Sequence, residues 1–523
     1  MSDTAAQGDI AAEPPPGVDE LPVLSGAALW GTGVLLALAN FVSVLDLTIT
    51  NVSVPTISGS MGASIGQGTW VITSYAVAEA VTVPLTGWLA GRFGSSRVLV
   101  AALLAFAVAS FLCALSPTIG VLVGFRVLQG MTGGPLMPLS QTLLLRLFPK
   151  HLQPAAMGLW SVTTLVAPIT GPILGGALCE SFGWPVIFLI NVPVAIGAGL
   201  LAWRVVVRGR YRPIKAPFDT VGLMLLIAWV GLLQIMLDLG KDADWFASPL
   251  IVAMGCGSAV SFVAFLIWEL TSDHPIVNLR VFRHRGFWAA MVIFACALGA
   301  FFATNVLTPL WLQTNMGYTA TQAGIATGAT GILAVAAAPI AAMLVARIDA
   351  RIVACTGIGW LMITALMRGT ANTDMSFWQV WGVLVLVGMA MPTFFMPLTL
   401  LAMGSVDTSE TAAASGLASF VRTLSGAFAT SIVTTRWESS AAAFHADLAG
   451  RSPRLGEPIR LLTSQGIAPE RALAVVNDIV DRQAVLLATN HLFWEIAMVF
   501  GFGTLLVWLL PRPVREVDIS GTH

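Results

Sequence analysis

The sequence predicts an all-α membrane protein with fourteen transmembrane helices. Apolar residues make up 56% of the chain and charged residues only 10%, and the mean hydropathy is +0.84. The apolar residues are gathered into runs of roughly 20 residues, the length that a helix needs to cross about 30 Å of hydrocarbon. Long apolar runs of this kind satisfy their backbone hydrogen bonds internally as helices, which argues against barrel strands.

The spans are the apolar windows between charged or Pro/Gly-rich breaks. In order they are 27–50, 67–90, 98–115, 120–146, 155–178, 186–206, 219–238, 249–270, 287–311, 321–346, 352–370, 377–402, 411–435 and 490–510. The proposed organisation is a six-helix N-terminal half (27–206), two inserted helices (219–270) and a six-helix C-terminal half (287–510).

The distribution of basic residues predicts the orientation of these spans. Most of the 26 basic residues fall in alternate loops or at the C-terminus, whereas the facing short loops hold only Lys241 and Arg368. Because Lys and Arg mark the cytoplasmic side, both termini of this multi-pass protein are predicted to be cytoplasmic. The basic set is Arg92, Arg97, Arg146, Lys150, Arg204, Arg208, Arg210, Arg212, Lys215, Arg280, Arg283, Arg285, Arg347, Arg351, Arg512 and Arg515.

Three segments outside the spans have distinct compositions. Residues 1–26 are acidic and Ala/Pro-rich, which predicts a disordered cytoplasmic tail, and 511–523 form a second cytoplasmic tail. Residues 436–489 form a long non-cytoplasmic loop whose two Ala/Leu-rich pieces have helical spacing, with the break RSPRLGEPIR between them. A long loop with its own helical pattern is usually functional, so we expect a helical hairpin that a partner could bind.

An internal repeat relates the two ends of the chain. The string NVSVP at 51–55 corresponds to NVLTP at 305–309, Met61-Gly62 corresponds to Met316-Gly317, and a proline precedes an arginine by eight residues near the end of spans 2 and 10 alike. Three matches in register indicate duplication. Repeated halves are a common plan for transporters, with the substrate site at the interface of the halves.

Four charged residues lie deep within the spans: Asp46, Glu79, Arg126 and Arg422. Charged groups in hydrocarbon are costly unless they are paired or hydrated, so each is a candidate functional residue. Asp46 and Arg126 are predicted to share a depth. Burial favours the neutral acid and a nearby guanidinium favours the carboxylate, and a group balanced in this way can carry a proton. The alternative is a permanent structural ion pair.

Glu79 and Arg422 have less obvious partners. Glu79 has no basic residue within one helical turn, which makes it a second candidate proton site or an anchor for cationic substrates. It could equally be a hydrated acid without a function. Arg422 could attract an anionic substrate or stabilise the C-terminal half.

Several longer strings resemble those of one transporter family. They include VLDLTITNVSVPTI, QGTWVITSYAVAEAVTVPLTGWLAGRFG, FRVLQGMTGGPLMPLSQTLLL, APITGPILGG and FLINVPV. The chain resembles, over nearly its whole length, the fourteen-helix drug:H⁺ antiporters of the major facilitator superfamily, and among them the EmrB type. The resemblance implies proton-driven efflux of amphipathic compounds, a periplasmic membrane-fusion adaptor and an outer-membrane channel. Glu79 departs from the family pattern, which has an amide at this position.

Two glycine-rich motifs are candidates for gating. In GWLAGRFGSSR the spacing of Gly87 and Gly91 predicts close helix packing, and Arg92 and Arg97 are predicted to pair with facing helix ends on the cytoplasmic side. The motif lacks the Asp that many family members carry. In GPILGG the resemblance implies that span 5 prevents leak, whereas small-residue packing without that role is the alternative. Its residues are Gly171, Pro172, Gly175 and Gly176.

The sequence contains no pattern for catalysis or for a cofactor. Gly240-Lys241 is followed by Asp242, so no phosphate-binding loop is present. The five cysteines lack metal-ligand spacing. Proton-driven export, which the family resemblance implies, is the leading prediction. The alternatives are export of one specific metabolite or fatty acid, nutrient symport, and a membrane enzyme or receptor, the last disfavoured by the missing catalytic pattern.

Overall fold

The structure, a computed structural model, describes residues 21–22, 24–207, 211, 213, 217–407, 410–451 and 456–511. Nearly all of both predicted tails lies outside these residues, as do Arg208, Arg210, Arg212, Lys215, Arg512 and Arg515. The α-helices are α1 Gly26–Met61, α2 Ile65–Thr82, α3 Leu85–Phe93, α4 Ser95–Ala114, α5 Ile119–Gly133, α6 Leu136–Leu147, α7 Gln153–Phe182, α8 Val186–Leu189, α9 Asn191–Val206, α10 Thr220–Leu239, α11 Pro249–Thr271, α12 Arg285–Thr314, α13 Ala320–Gly328, α14 Thr330–Arg347, α15 Ala350–Arg368, α16 Phe377–Gly388, α17 Ala390–Met403, α18 Thr411–Arg451, α19 Gly456–Ser464 and α20 Pro469–Leu506.

The predicted all-α membrane architecture is confirmed. Within the part of the chain that the structure describes, eleven helical segments are long and apolar enough to cross a membrane. The other three predicted spans are occupied by α2 with α3, by α5 with α6, and by α7. Large apolar side chains such as Val260 and Leu505 are exposed on the outside of the bundle, where lipid can cover them.

Prolines account for two of the breaks within spans. Pro84 precedes α3 and Pro135 precedes α6, each at the position just before the helix begins. A proline supplies no backbone N–H, so a helix tolerates it at its start better than in its interior. By contrast, α7 continues through Pro168 and Pro172.

The predicted repeat is accompanied by the same local structure at both of its copies. A glycine with positive φ ends α1 at Gly62 (φ 62°), and a glycine with φ 69° follows α12. A capping box then opens α2, and another opens α13, satisfying backbone N–H groups that the first turn leaves free. The paired residues are Gly62 with Gly317, Ser64 with Thr319, and Gln67 with Gln322.

Helix packing follows the order of the two proposed halves. In the first half α1 packs on α7, α2 on α5, and α4 on α9; in the second α12 packs on α18, and α15 on α17 and α20. The two sets meet where α7 contacts α13 and α2 contacts α18. The inserted helix α10 packs on α11 and also touches both α2 and α18.

The predicted outer hairpin is helical, but it is not separate from the membrane helices. α18 continues without interruption to Arg451, and α20 begins at Pro469 and runs on into the bundle. The two helices hold each other: Trp437 Nε1 donates to Thr489 Oγ1 over 2.8 Å, and Arg436 pairs with Glu495 at 2.9 Å. These contacts between α18 and α20 explain why both helices extend beyond the apolar parts of their sequences.

Part of the break predicted between the two hairpin pieces is helical. α19 begins within this break, at Gly456, ends beyond it at Ser464, and packs on α20. Residues 452–455 lie outside the described part of the chain.

Candidate functional site

The predicted pairing of Asp46 with Arg126 is present in the structure. Asp46 lies on α1 and Arg126 on α5, and both side chains are fully buried. Arg126 Nη1 donates directly to Asp46 Oδ2. α2 packs on both α1 and α5, which brings the two helices that carry Asp46 and Arg126 close together.

Two amides complete the surroundings of the Asp46 carboxylate. Gln129 Nε2 and Asn191 Nδ2 donate to Asp46 Oδ1 over 2.9 Å and 2.7 Å. Gln129 Oε1 also accepts from Arg126 Nη1 over 2.7 Å. Charge-assisted hydrogen bonds of this kind favour the ionised carboxylate, whereas complete burial opposes it.

The Arg126 guanidinium is held on its faces as well as at its edge. Its Nε donates to the Val71 carbonyl over 2.8 Å, and the rings of Tyr75 and Phe188 lie 4.2 Å and 5.5 Å from its central carbon. Its Nη2 has no hydrogen-bond partner among the described residues. The guanidinium is therefore fixed beside the Asp46 carboxylate.

Sequence reasoning missed Gln129 and Asn191. Gln129 lies three residues after Arg126 on the same face of α5, so helical spacing could have identified it. Asn191 is a polar residue at the start of an apolar helix, and only the packing of α9 beside α1 brings it to Asp46.

Glu79 and Arg422 face each other across the two sets of helices. Glu79 is buried on α2, and no described side chain donates a hydrogen bond to it. Its strongest electrostatic influence from another charged group comes from Arg422 of α18. Among the described residues, the hydrogen-bond partner of Arg422 Nη2 is the sulfur of Met137 on α6, at 2.8 Å, which is a weak acceptor. The structure therefore places two weakly satisfied opposite charges at the interface of the halves.

The loop motif between spans 2 and 3 differs from its prediction. Gly87 is exposed, with no atom within 4 Å of the position that a Cβ would take, so the predicted close packing at Gly87 is wrong. The glycine lies on the outer face of α3, where no second helix covers it. Arg92 and Arg97 are exposed and form no ion pair with a carboxylate of the described residues.

Tyr211 contacts the end of α3 that carries this motif. Its hydroxyl donates to the carbonyl oxygens of Ala90, over 2.9 Å, and of Gly91, both in the last turn of α3. Its ring lies 5.8 Å from the guanidinium carbon of Arg97. One of only three tyrosines in the chain, it stands in the basic string RGRYR, and only tertiary structure shows what it contacts.

The predicted close packing at GPILGG is confirmed, and it extends to two neighbouring helices. A Cβ on Gly175 would lie 2.6 Å from the Ile49 carbonyl oxygen of α1, and one on Gly171 would overlap Thr48. On the other side, a Cβ on Gly176 would overlap the backbone of Ala320, and one on Gly324 would overlap the carbonyl of Pro172. The motif thus joins α7 to α1 and, across the halves, to α13.

Hydrogen bonds close the hairpin end of this interface. The Thr321 backbone N–H donates to Glu180 over 3.0 Å, and Gln313 donates to the Val52 carbonyl over 2.7 Å. Each contact joins a helix of the first set to a residue of the second. The end of the bundle that carries the hairpin is therefore closed between the halves.

The inserted helix α10 takes part in the same closed end. Asp238 accepts from Thr73 of α2 over 3.1 Å and from Ser431 of α18, and Lys241 pairs with Glu438 of α18 at 2.5 Å. The sequence predicted Lys241 to lie in a short loop, and Asp238 at the end of its span was not singled out. The structure shows that they tie the insertion to both halves.

Comparison with known proteins agrees with this architecture. The Major Facilitator Superfamily model matches residues 36–430. The multidrug export protein EmrB of Escherichia coli K12 is 39% identical over 94% of this chain and 97% of its own length. The fatty acid resistance protein FarB of Neisseria gonorrhoeae is 38% identical over 95% of this chain and 99% of its own length.

Solved structures share the fold at low sequence identity. An inward-facing, occupied bacterial homologue of the human lysosomal transporter Spinster gives a TM-score of 0.63 at 13% identity, over 93% of this chain and 97% of that one. A D-xylose-proton symporter gives 0.61 at 13% identity, over 93% and 99% of the two chains. With its helical spans, its repeat and its relatives, this multi-pass membrane protein belongs to the major facilitator superfamily, in the group of transporters that includes EmrB and FarB.

Proposed function

We propose that this protein exports amphipathic toxic compounds or drugs across the inner membrane in exchange for protons. The observation that carries the proposal is the buried carboxylate of Asp46, held between Arg126, Gln129 and Asn191. A fully buried acid beside a fixed cation can alternate between a charged and a neutral form when its surroundings change. That is the property required of a coupling group.

The coupling argument depends on which contacts a proton alters. Ionised Asp46 binds the guanidinium and both amides, whereas the neutral acid loses most of its attraction for Arg126. The helices α1, α5 and α9 that carry these four residues are then held together less strongly. Proton uptake at Asp46 thereby favours a rearrangement of the first half, and release restores the pair.

Amphipathic compounds are the substrate class that the relatives and the charges support. EmrB is named a multidrug export protein, and the interface of the halves offers Glu79 to a cation and Arg422 to an anion. A second candidate is export of an acidic amphiphile such as a fatty acid, favoured by the 38% identity to FarB, a fatty acid resistance protein. Arg422 then becomes the main substrate contact.

We further propose that both termini lie in the cytoplasm and that the hairpin binds a periplasmic adaptor, which leads to an outer-membrane channel. The basic loops support the orientation. The hairpin exposes Leu473 and Ile479 on α20 and Leu461 on α19, at 58%, 53% and 61%. Apolar side chains that project beyond the membrane helices are candidates for burial against another protein.

Replacement of Asp46 by Asn tests the coupling. The amide retains the size of the carboxylate but cannot exchange a proton, so pH-driven efflux in everted vesicles should be abolished while substrate exchange without a proton gradient persists. The exposed residue Asp374 provides the matched control, Asp374→Asn, which should behave as wild type. Wild-type pH-driven efflux by Asp46→Asn, at equal protein in the membrane, would contradict the assignment. The same vesicles decide between export and symport by the direction of proton flux.

The double substitution Leu473→Glu with Ile479→Glu tests the adaptor site. It places charges on an exposed face, so transport in vesicles should be unchanged, while drug resistance in cells and co-purification with the adaptor are lost. Glu470→Gln, also exposed on α20, is the control. Full resistance in cells expressing the double variant would show that this face is not the docking site.

A further inference from the structure

An apolar cleft with one cationic corner lies at the hairpin end of the second half. It is a shallow groove, partly open to its surroundings, between α12, α15, α16 and α20. Its walls are methionine, valine, leucine and aromatic side chains, and its polar groups come from Thr308, Trp311 and Arg368. This cleft lies apart from Asp46, Glu79 and the seam between α7 and α13.

Arg368 has no anionic partner within the described chain. It is one of two basic residues in the short loops predicted to be non-cytoplasmic, and the other, Lys241, pairs with Glu438. Arg368 instead donates to Thr308 Oγ1 and stacks on Phe493, with 4.0 Å between its guanidinium carbon and the ring centre. Stacking occupies the face of the guanidinium but leaves in-plane N–H donors for an oxygen ligand.

A second group in the same wall also has an unused donor. The indole of Trp311 is 5% exposed, and its Nε1 has no hydrogen-bond partner among the residues that the structure describes. Buried N–H donors are usually satisfied, so this indole lacks a partner that a bound ligand or a water could supply. An unpaired guanidinium and an unpaired indole N–H in one cleft fit an anion with more than one oxygen.

The apolar walls of the cleft indicate that the anionic ligand also has an apolar part. Met367 and Val383 line the cleft next to Arg368 and Leu384, and Met367 is also exposed on the outside of the bundle. The neighbouring loop is held in place, because Trp494 donates to the Gly369 carbonyl over 3.2 Å and Asn490 to the Ala371 carbonyl over 2.8 Å. The cleft thus has a fixed neighbouring loop and combines polar groups with apolar walls.

We propose that this cleft binds the acidic headgroup of an amphiphile, a carboxylate or phosphate that carries an acyl chain. The headgroup oxygens accept from Arg368 and Trp311, and the chain lies along the apolar walls towards the lipid. Two sources share this chemistry: an anionic phospholipid of the surrounding leaflet and a fatty acid. The inference is independent of proton coupling, since binding at this site needs no transport.

The test compares acidic and neutral ligands of the same chain on the purified full-length protein. Thermal unfolding is followed with added phosphatidylglycerol or phosphatidylcholine, and with dodecanoate or dodecanol. The acidic members should raise the unfolding temperature more than the neutral ones. A response to phosphatidylglycerol alone identifies the phospholipid as the source, and a response to dodecanoate alone identifies the fatty acid.

Substitutions then locate the site. Arg368→Gln should weaken binding of the acidic ligand about tenfold or more, the usual effect of losing a hydrogen bond to a charged group, whereas Arg436→Gln, which alters an exposed arginine of the hairpin, should not. Equal stabilisation by neutral and acidic ligands, or an unchanged response in Arg368→Gln, overturns the proposal. If Arg368→Gln does not fold, Trp311→Phe decides, because it removes only the N–H: weaker binding supports the site and unchanged binding overturns it.

Discussion

At the scale of single residues, the chain separates a satisfied charge pair from an unsatisfied one. Asp46 and Arg126 share hydrogen bonds with two amides and a carbonyl, whereas Glu79 and Arg422 influence each other without an ion pair. We propose the buried, hydrogen-bonded pair of Asp46 and Arg126 as the element that a proton switches. Weakly satisfied charges at an interface are suited to meeting a charged ligand, because binding adds the missing partner.

Replacement of Glu79 by Gln should separate cationic from neutral substrates. The amide removes the negative charge that attracts a cation, so the apparent affinity for a lipophilic cation should fall about tenfold, equivalent to roughly 1.4 kcal/mol. Transport of a neutral amphiphile should change little. Uptake of both compounds into everted vesicles, at matched protein levels, is the measurement. Equal loss for both classes would assign Glu79 to proton coupling instead.

The sequence could predict the pairing of Asp46 with Arg126 because both lie at comparable depths in adjacent parts of one half. It could not predict that Arg422 acts on Glu79, since the two belong to different halves and no periodicity within α2 or α18 encodes how the halves meet. Gln129 could have been identified from helical spacing, because it lies three residues after Arg126. Asn191 and Tyr211 depended on tertiary packing alone.

At the scale of helices, the glycines of α7 determine how closely the halves approach. Gly171 and Gly175 admit the backbone of α1 on one side, and Gly176 admits α13 on the other. The sequence identified this motif correctly because small residues in a membrane helix serve close packing. It misjudged Gly87 for the same reason, since spacing does not reveal whether a second helix is present.

Gly176→Ala should weaken the closed end of the bundle. The added methyl group overlaps the backbone of Ala320, and overpacking of this kind typically costs about 1–3 kcal/mol. Dissipation of a pH gradient by the protein in liposomes should therefore be faster than for wild type. Gly197→Ala is the control, because nothing lies within 4 Å of its Cβ position. If Gly176→Ala dissipates the pH gradient no faster than wild type, the motif does not prevent leak.

At the scale of the whole molecule, the closed end involves both halves and the insertion. α7 meets α13, α2 meets α18, and α10 binds both α2 and α18 through Asp238. Spans and repeats were predictable from hydropathy, since the bilayer sets the length of each helix. The bridging position of α10 was not, because an insertion between two repeats has no counterpart in either half.

A disulfide between the halves should stop transport in this closed form. The Glu180 carboxylate accepts a hydrogen bond of 3.0 Å from the Thr321 backbone N–H, so we expect the variant Glu180→Cys with Thr321→Cys, made with the five native cysteines replaced by serine, to form a disulfide on oxidation. We expect transport to cease on oxidation and to return with a reductant. The single variant Glu180→Cys should be insensitive to oxidant. Transport by the fully oxidised double variant would mean that this end does not need to open.

The unbroken course of α18 has a mechanical consequence. One helix carries Arg422 within the bundle and Arg451 in the hairpin, so it behaves as a single lever whose outer arm, beyond residue 435, is about 24 Å long at 1.5 Å per residue. A tilt of about 10° in the second half moves the tip by roughly 4 Å. A protein bound to the hairpin is therefore displaced whenever α18 tilts during transport. By fixing the position of the hairpin, such a protein can also restrain the tilt and so slow transport.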